Sequence, residues 1–210
     1  MSTSTSHPGT SSPDIPFHGF VETTADALRL IQAARQGVIP RITRRLNEEE
    51  RATIVRSGAV FVFSVEESGI RRWTEGLSWS ASRIAGNFLL YRELASRNSG
   101  RTSYTGKALQ SDSAFSRRKV VPKEPDSQVM LKQDGLVKKT ITVCADGTQY
   151  HLISYYTDDD FRSKRLQRPI RRPDIMALGI PADLLDASNF RYPPRVDVNG
   201  GGSIVDMCVQ

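Results

Sequence analysis

Two apolar-rich runs, "LVKKTITVC" and "TQYHLISYYT", face each other across Asp146-Gly147, and no other feature limits the fold as strongly. Asp-Gly supplies the two positive-φ residues of a tight turn whose twist matches that of its flanking strands, so the stretch predicts an antiparallel β-hairpin. An earlier Asp134-Gly135, after "QVMLKQ", has the same form. Together the three runs predict a three-stranded meander. Three strands bury too thin a core to stand alone, so they are expected to join strands from elsewhere in one sheet.

The first half of the chain supplies such strands. "AVFVFSV" (59–65) is β-branched and aromatic and reads as a buried strand, and "NFLLYREL" (87–94) reads as another. Ahead of them, Ala27, Leu28, Leu30, Ile31 and Ala34 recur at helical spacing, with Thr23 or Thr24 as N-cap and Gly37 as C-cap before Pro40. Asn47 and Glu50 form a capping-box start for a second, short helix reaching about Arg56 and ended by Gly58. The expected fold class is α+β: the two regions share a mostly antiparallel β-sheet, with a few helices in the first region.

Composition sets the boundaries. Residues 1–16 are Ser/Thr/Pro-rich and bury too little to offset ordering entropy, which predicts a disordered tail. A first region spans 17–94, a flexible basic linker 95–126 and a second region 127–160. Residues 161–210 read as a C-terminal extension, partly disordered, with a short helix at "PADLLDA" carrying Pro181 in its first turn and a Gly triplet near the end.

A search for chemistry is mostly negative. The three histidines, His7, His18 and His151, are scattered, and His151 beside Tyr150 in mid-strand reads as structural. Asp158, Asp159 and Asp160 read as a helix cap or solvated turn rather than a cation site. Cys144 and Cys208 stand far apart without CxxC spacing, which argues against a zinc site or disulfide framework and fits a reducing compartment. There is no P-loop, GxGxxG, HExxH or nucleophile elbow, so no catalytic residue, metal site or cofactor is expected and the chain does not read as an enzyme. No apolar run could cross a bilayer and the start lacks the apolar core of a signal peptide, which predicts a soluble intracellular protein with no membrane partner.

Charge points to a different kind of partner. Lys+Arg 29 against Asp+Glu 23 gives a net charge of +6, which suits a polyanion. Arg41, Arg44 and Arg45 crowd the loop "PRITRRLN" together with Thr43; Arg71 and Arg72 follow a turn at Ser68-Gly69; Arg83 follows "SWSAS". Guanidinium forks bind phosphate bidentately, read guanine edges or enter a narrow A·T-rich minor groove, while short hydroxyls donate to phosphate oxygens. The same arginines are equally able to pair with local acids, as Arg45 with Glu48 or Glu49. On the residues alone both readings stay open.

The blocks "GFVET", "IPRITRRL", "SGAVFVF", "RRWTEGLSWSASR" and "FLLYREL", with "HLISYY" in the second half, resemble the WOPR family of fungal transcription regulators, which includes the master regulator of white–opaque switching. The likeness spans about 19–94 and 129–157, with the family's variable linker between. It implies that 17–160 is a WOPR-like domain binding double-stranded DNA sequence-specifically, at a site containing an A·T-rich run. It further implies a nuclear regulator of morphology, development or virulence, with other transcription factors as possible partners. Carried over by position, DNA contacts fall on Arg41, Thr43, Arg44, Arg45, Arg71, Arg72, Trp73, Thr74, Ser80, Ser82 and Arg83, joined by Lys138 and Lys139 from the second region. Arg44 and Arg45 are expected to read a groove, and Thr43, Ser80, Ser82 and the lysines to position phosphates. Trp73 and Trp79 also suit loop-bracing aromatics. Lys138 and Lys139 point to opposite sides of a strand, so at most one faces DNA directly.

Arg71-Arg72-Trp73-Thr74 fits the R-R-x-[ST] pattern of a cyclic-AMP-dependent kinase, similar to a site proposed in the family. Phosphate on Thr74 adds about two negative charges among DNA-facing arginines, which weakens binding. Departures from the family pattern are Glu75 where Asp is common and Ala81 where Pro is common, the second loosening the loop that presents Arg83. The basic run "SRRKVVPK" (116–123) suits a nuclear-localisation patch or a further electrostatic contact. Many relatives carry long polar C-terminal regions that recruit other factors, whereas this sequence stops at Gln210. Two alternatives follow: an effector-less DNA-binding competitor, or a general nucleic-acid (RNA) binder whose affinity is nearly independent of sequence.

Overall fold

The computed structural model describes residues 17–95 and 130–195. The expected tail, nearly all of the linker with its 116–123 basic run, and the Gly triplet lie outside the described residues. The hairpin forms where the sequence puts it. Strands β5 (Val137–Ala145) and β6 (Thr148–Tyr156) pair antiparallel along their whole length, and Asp146 and Gly147 turn between them at φ 49° and 73°. Both signs match a type I′ turn.

The second region contributes two strands rather than the expected three. Residues 130–136 make one isolated bridge, Leu131 to Leu94, and then turn locally, with the Gly135 N–H donating to the Lys132 carbonyl. Glu93 is buried at this point, and its carboxylate accepts from Lys132 Nζ at 2.7 Å and from the Leu136 N–H at 2.9 Å. Backbone bonds from the Ala95, Lys132 and Glu93 N–H groups to the Met130, Glu93 and Leu136 carbonyls run beside them, and the turn at Lys132–Gly135 interrupts any longer ladder.

The first region adds β1 (Phe17–His18), β2 (Ala59–Ser64), β3 (Arg83–Ala85) and β4 (Phe88–Arg92). The six strands form one antiparallel sheet in the order β1-β2-β6-β5-β4-β3, so the hairpin of the second region sits between strands of the first. This is the interlocking of an α+β fold. Directly opposed residues share a face: Phe61, Ile153, Thr140 and Leu89 line one side, and Val60, Ser154, Lys139 and Leu90 the other.

Helix α1 (Thr24–Arg35) covers the Val60 side. Thr23 and Asp26 close a capping box at its start, and Leu28, Leu30, Ile31 and Ala34 are fully buried against Val60, Val62, Ile141 and Leu152. Each such Leu or Ile contributes about 1.5–3 kcal/mol by leaving water. Helix α2 (Glu48–Ile54) has the expected Asn47/Glu50 box but ends two residues early, and α3 (Val65–Ser68) follows β2 directly, capped by the Ser64 hydroxyl. Helix α4 (Asp158–Arg162) carries the three aspartates in its first turn, capped by Thr157. No described helix is long and apolar enough to cross a membrane.

Ordered structure continues past residue 160. Short helix α5 (Pro173–Met176) and the 3-10 turn at Ala182–Leu185 insert Ile175 and Leu184, both fully buried, into the core under α1. "PADLLDA" is therefore a 3-10 turn, with Pro181 preceding it rather than opening an α-helix. The opposite face of the sheet buries Phe61, Phe63, Ile70, Ile153 and Tyr155, covered by Trp73, Trp79 and Ile42.

Candidate nucleic-acid interface

The loop after α3 is held by alternating anchors. Gly69 reverses the chain at φ 66°, Ile70 and Glu75 are buried at its two ends, and Arg71, Arg72 and Thr74 between them are exposed. Trp73 is half-buried and stacks on Phe63 at 5.5 Å and 19°, with Phe61 at 5.1 Å. Its Nε1–H donates to the Tyr155 hydroxyl at 2.8 Å. Burial, with the charge of Glu75 adding to it, pushes the Tyr155 hydroxyl far above its ordinary range, so it stays protonated. Trp73 is thus the keel of the loop.

Two recesses flank this keel. Arg45, Arg51, Arg72 and Thr74 line a cleft of about 80 Å³ on one side. Arg71 and Arg72 wall a groove of about 270 Å³ on the other, whose floor includes Phe63, Tyr91, Thr140 and His151. His151 stacks on Phe63 at 5.0 Å and bonds Thr142 Oγ1 through Nδ1 at 2.9 Å. Burial lowers its pKa from the usual 6.5, with Glu66 opposing, so the ring is neutral near pH 7.

Ion pairing separates the arginines into two groups. Arg41 Nη2 pairs with Glu67 at 3.1 Å, and Arg44 grips Glu50 through both terminal nitrogens at 2.6 and 2.9 Å. That fork, with the Asn47 backbone N–H, lowers the Glu50 carboxyl to about 2. Arg45 pairs with neither Glu48 nor Glu49, its neighbouring acids in the sequence. In the structure Arg45, Arg71 and Arg72 have no carboxylate partner among the described residues, and Arg51 reaches only the Thr74 carbonyl at 3.4 Å. Four guanidinium groups therefore surround Trp73 without neutralisation. Arg51 was not foreseen, because its place in α2 carries no local signal of a loop that lies 23 residues on.

The remaining sequence candidates are placed differently. Lys138 and Lys139 are both buried: Lys138 Nζ pairs with Glu75 at 2.7 Å at the wall of the larger groove, and Lys139 Nζ donates to the Val21 and Glu22 carbonyls. Both faces of the sheet are covered here, so each lysine is left only 9% exposed. Ser80 Oγ donates to the Ala81 carbonyl and accepts from the Arg92 N–H, which ties it to β4. Thr43 and Ser82 are exposed. Arg83 is exposed at the sheet edge, but its register opposite Leu90 puts it on the α1 face, away from Trp73.

Residues 16–128 and 105–157 match the Gti1/Pac2 family. The chain belongs to the Gti1/Pac2 (WOPR) family. Within the Gti1/Pac2 family it is 34% identical over 210 residues to the global transcription regulator FGP1 of Gibberella zeae, covering 84% of this chain and 61% of that protein. It is 32% identical over 218 residues to the global transcription regulator sge1 of Gibberella moniliformis, covering 88% of this chain and 66% of that protein. The chain thus spans somewhat under two thirds of the length of these relatives. A solved complex of the WOPR domain of Wor1 from Candida albicans with 17-bp double-stranded DNA is 33% identical, with a TM-score of 0.59, covering 81% of this chain and 96% of that one.

Proposed function

We propose that the chain is a sequence-specific DNA-binding transcription regulator of fungal morphology, development or virulence, acting in the nucleus through the Arg45, Arg51, Arg71 and Arg72 cluster. The observation that carries this reading is the cluster's lack of acid partners. Like charges gathered on one surface repel each other unless a polyanion complements them, and the guanidinium fork matches phosphate bidentately. The likeness to a WOPR domain solved on duplex DNA supports the same reading.

In this reading the residues divide by role. Arg71 and Arg72 anchor phosphates, Arg45 reads a groove, and Arg51 joins them from α2. Arg41 and Arg44 shape their loop through Glu67 and Glu50, and Arg44 reaches a groove by exchanging Glu50 for DNA. Thr43, Ser82 and Arg83 contact phosphate only on a duplex long enough to pass the rim and the β3 edge. Thr74, exposed among arginines, is the residue that a cyclic-AMP-dependent kinase would modify to oppose DNA. Other transcription factors remain proposed partners.

Selection from random duplexes, repeated at two salt concentrations with RNA as competitor, tests the reading. Enrichment of one A·T-rich-containing motif with poor competition by RNA is the expected result. Sequence-independent binding that RNA displaces would replace it with a general polyanion binder.

A further inference from the structure

We infer that the buried Glu75–Lys138 pair is the positioning device of the proposed DNA interface, holding the arginine loop of the first region on a strand of the second. The inference rests on the DNA-binding reading. Residues 71–77 make no backbone–backbone hydrogen bond among the described residues, so side chains alone seat this loop on the sheet. Trp73 supplies stacking and one hydrogen bond to Tyr155, which hold the middle of the loop but not its far end. The far end is fixed by charge: Lys138 Nζ meets Glu75 Oε1 at 2.7 Å with side-chain exposures of 11% and 2%.

The surroundings aim that pair narrowly. Register sets Lys138 between Tyr155 and Tyr91 on the Trp73 face, and its ammonium lies 4.4 Å from the Trp79 ring centre and 4.9 Å from that of Tyr91. An ammonium so enclosed has one carboxylate to reach, and Glu75 is only one residue beyond Thr74. A buried ion pair adds little net stability over apolar side chains of similar size, because desolvation offsets attraction. Its effect is to specify one seat for the loop. Removing Lys138 leaves a charged Glu75 that gains by moving to water, drawing Trp73 off Tyr155 and carrying Arg71 and Arg72 away from Arg45 and Arg51.

The test uses the full chain and its selected duplex, with Lys138→Met, Glu75→Gln and the two combined. Lys138→Met is expected to weaken binding at least about tenfold and to reduce the slope of log affinity against log salt by about two, for two lost phosphate contacts. The double variant is expected to regain most of the wild-type melting temperature yet keep the reduced slope, because no buried charge is left without a partner but nothing pins the far end of the loop. Affinity and slope that recover together with melting temperature, or that Lys138→Met never changes, overturn the inference. Should Lys138→Met not fold, the double variant decides alone. A wild-type chain that binds no duplex overturns both the inference and the DNA reading. Loss of binding in Arg72→Ala with full binding in both Lys138 variants overturns the inference only.

Discussion

Arg168 forms a two-pronged pair with the wholly buried carboxylate of Asp26, Nε to Oδ2 at 3.0 Å and Nη2 to Oδ1 at 3.2 Å. Asp26 also accepts from the backbone N–H groups of Glu22 and Thr23, so one carboxylate joins the start of α1 to a segment 142 residues later. Arg168→Ala is expected to cost about 2–3 kcal/mol, somewhat below the usual loss for breaking a buried pair because Arg168 is partly exposed. Denaturant unfolding measures this. Arg172→Ala, which removes an exposed pair with Asp174, is the control and should change little.

Truncation tests the same relationship from the other side. A chain ended at Asp160 uncovers the seats of Ile175 and Leu184 under α1 and leaves Asp26 without Arg168. It is expected to unfold at a clearly lower denaturant concentration than a chain ended at Arg195. Equal midpoints would return residues 161–195 to the status of an appendage.

Much of this architecture is legible in the sequence because its causes are local. Asp146-Gly147 dictates its turn through φ signs, and the Thr23/Asp26 and Asn47/Glu50 boxes need only a spacing of three. The site is less legible. Which arginines are free depends on partners set by tertiary structure: Glu67 takes Arg41 from 26 residues away, and Arg51 meets the Thr74 loop only after folding. Lys138 and Lys139 look like a solvated pair in a half-exposed strand, yet the sheet is covered on both faces at that point and both ammonium groups turn inward. Nothing in a period of two distinguishes those cases.

Arg72 and Arg44 offer a contrast in DNA binding. Arg72 lines both recesses and holds no acid, so Arg72→Ala is expected to cost about 1–3 kcal/mol on every duplex and to lower the salt slope by about one. Arg44 must first release Glu50, so its replacement should mainly relax base preference. Titrations on matched and mismatched duplexes separate the two. Equal losses from Arg44→Ala on all sequences would reassign Arg44 to phosphate anchoring.

Thr74→Glu introduces a carboxylate into the cleft lined by Arg45, Arg51 and Arg72. The new charge occupies guanidinium forks and repels phosphate, so affinity should fall at matched salt, and the fall should shrink as salt rises. Thr74→Val, neutral and similar in shape, should bind as wild type. A Thr74→Glu chain binding as tightly as wild type would show that charge at this position does not reach the interface.

His151 sets a pH limit on the groove beneath Arg71 and Arg72. Burial holds its pKa below the ordinary 6.5, with Glu66 working the other way, while the unfolded chain keeps the ordinary value. On acidification the unfolded chain therefore takes up this proton first. The stability contributed by a neutral His151 is complete above about pH 6.5 and is lost as pH falls through the lower folded-state value. His151→Gln stays neutral and can still bond Thr142, so its stability should vary less between about pH 7.5 and about pH 5.5 than that of wild type. Melting temperatures of both chains across that range measure the difference. Parallel declines would assign the pH dependence to other groups and leave the His151 ring with a packing role against Phe63 alone.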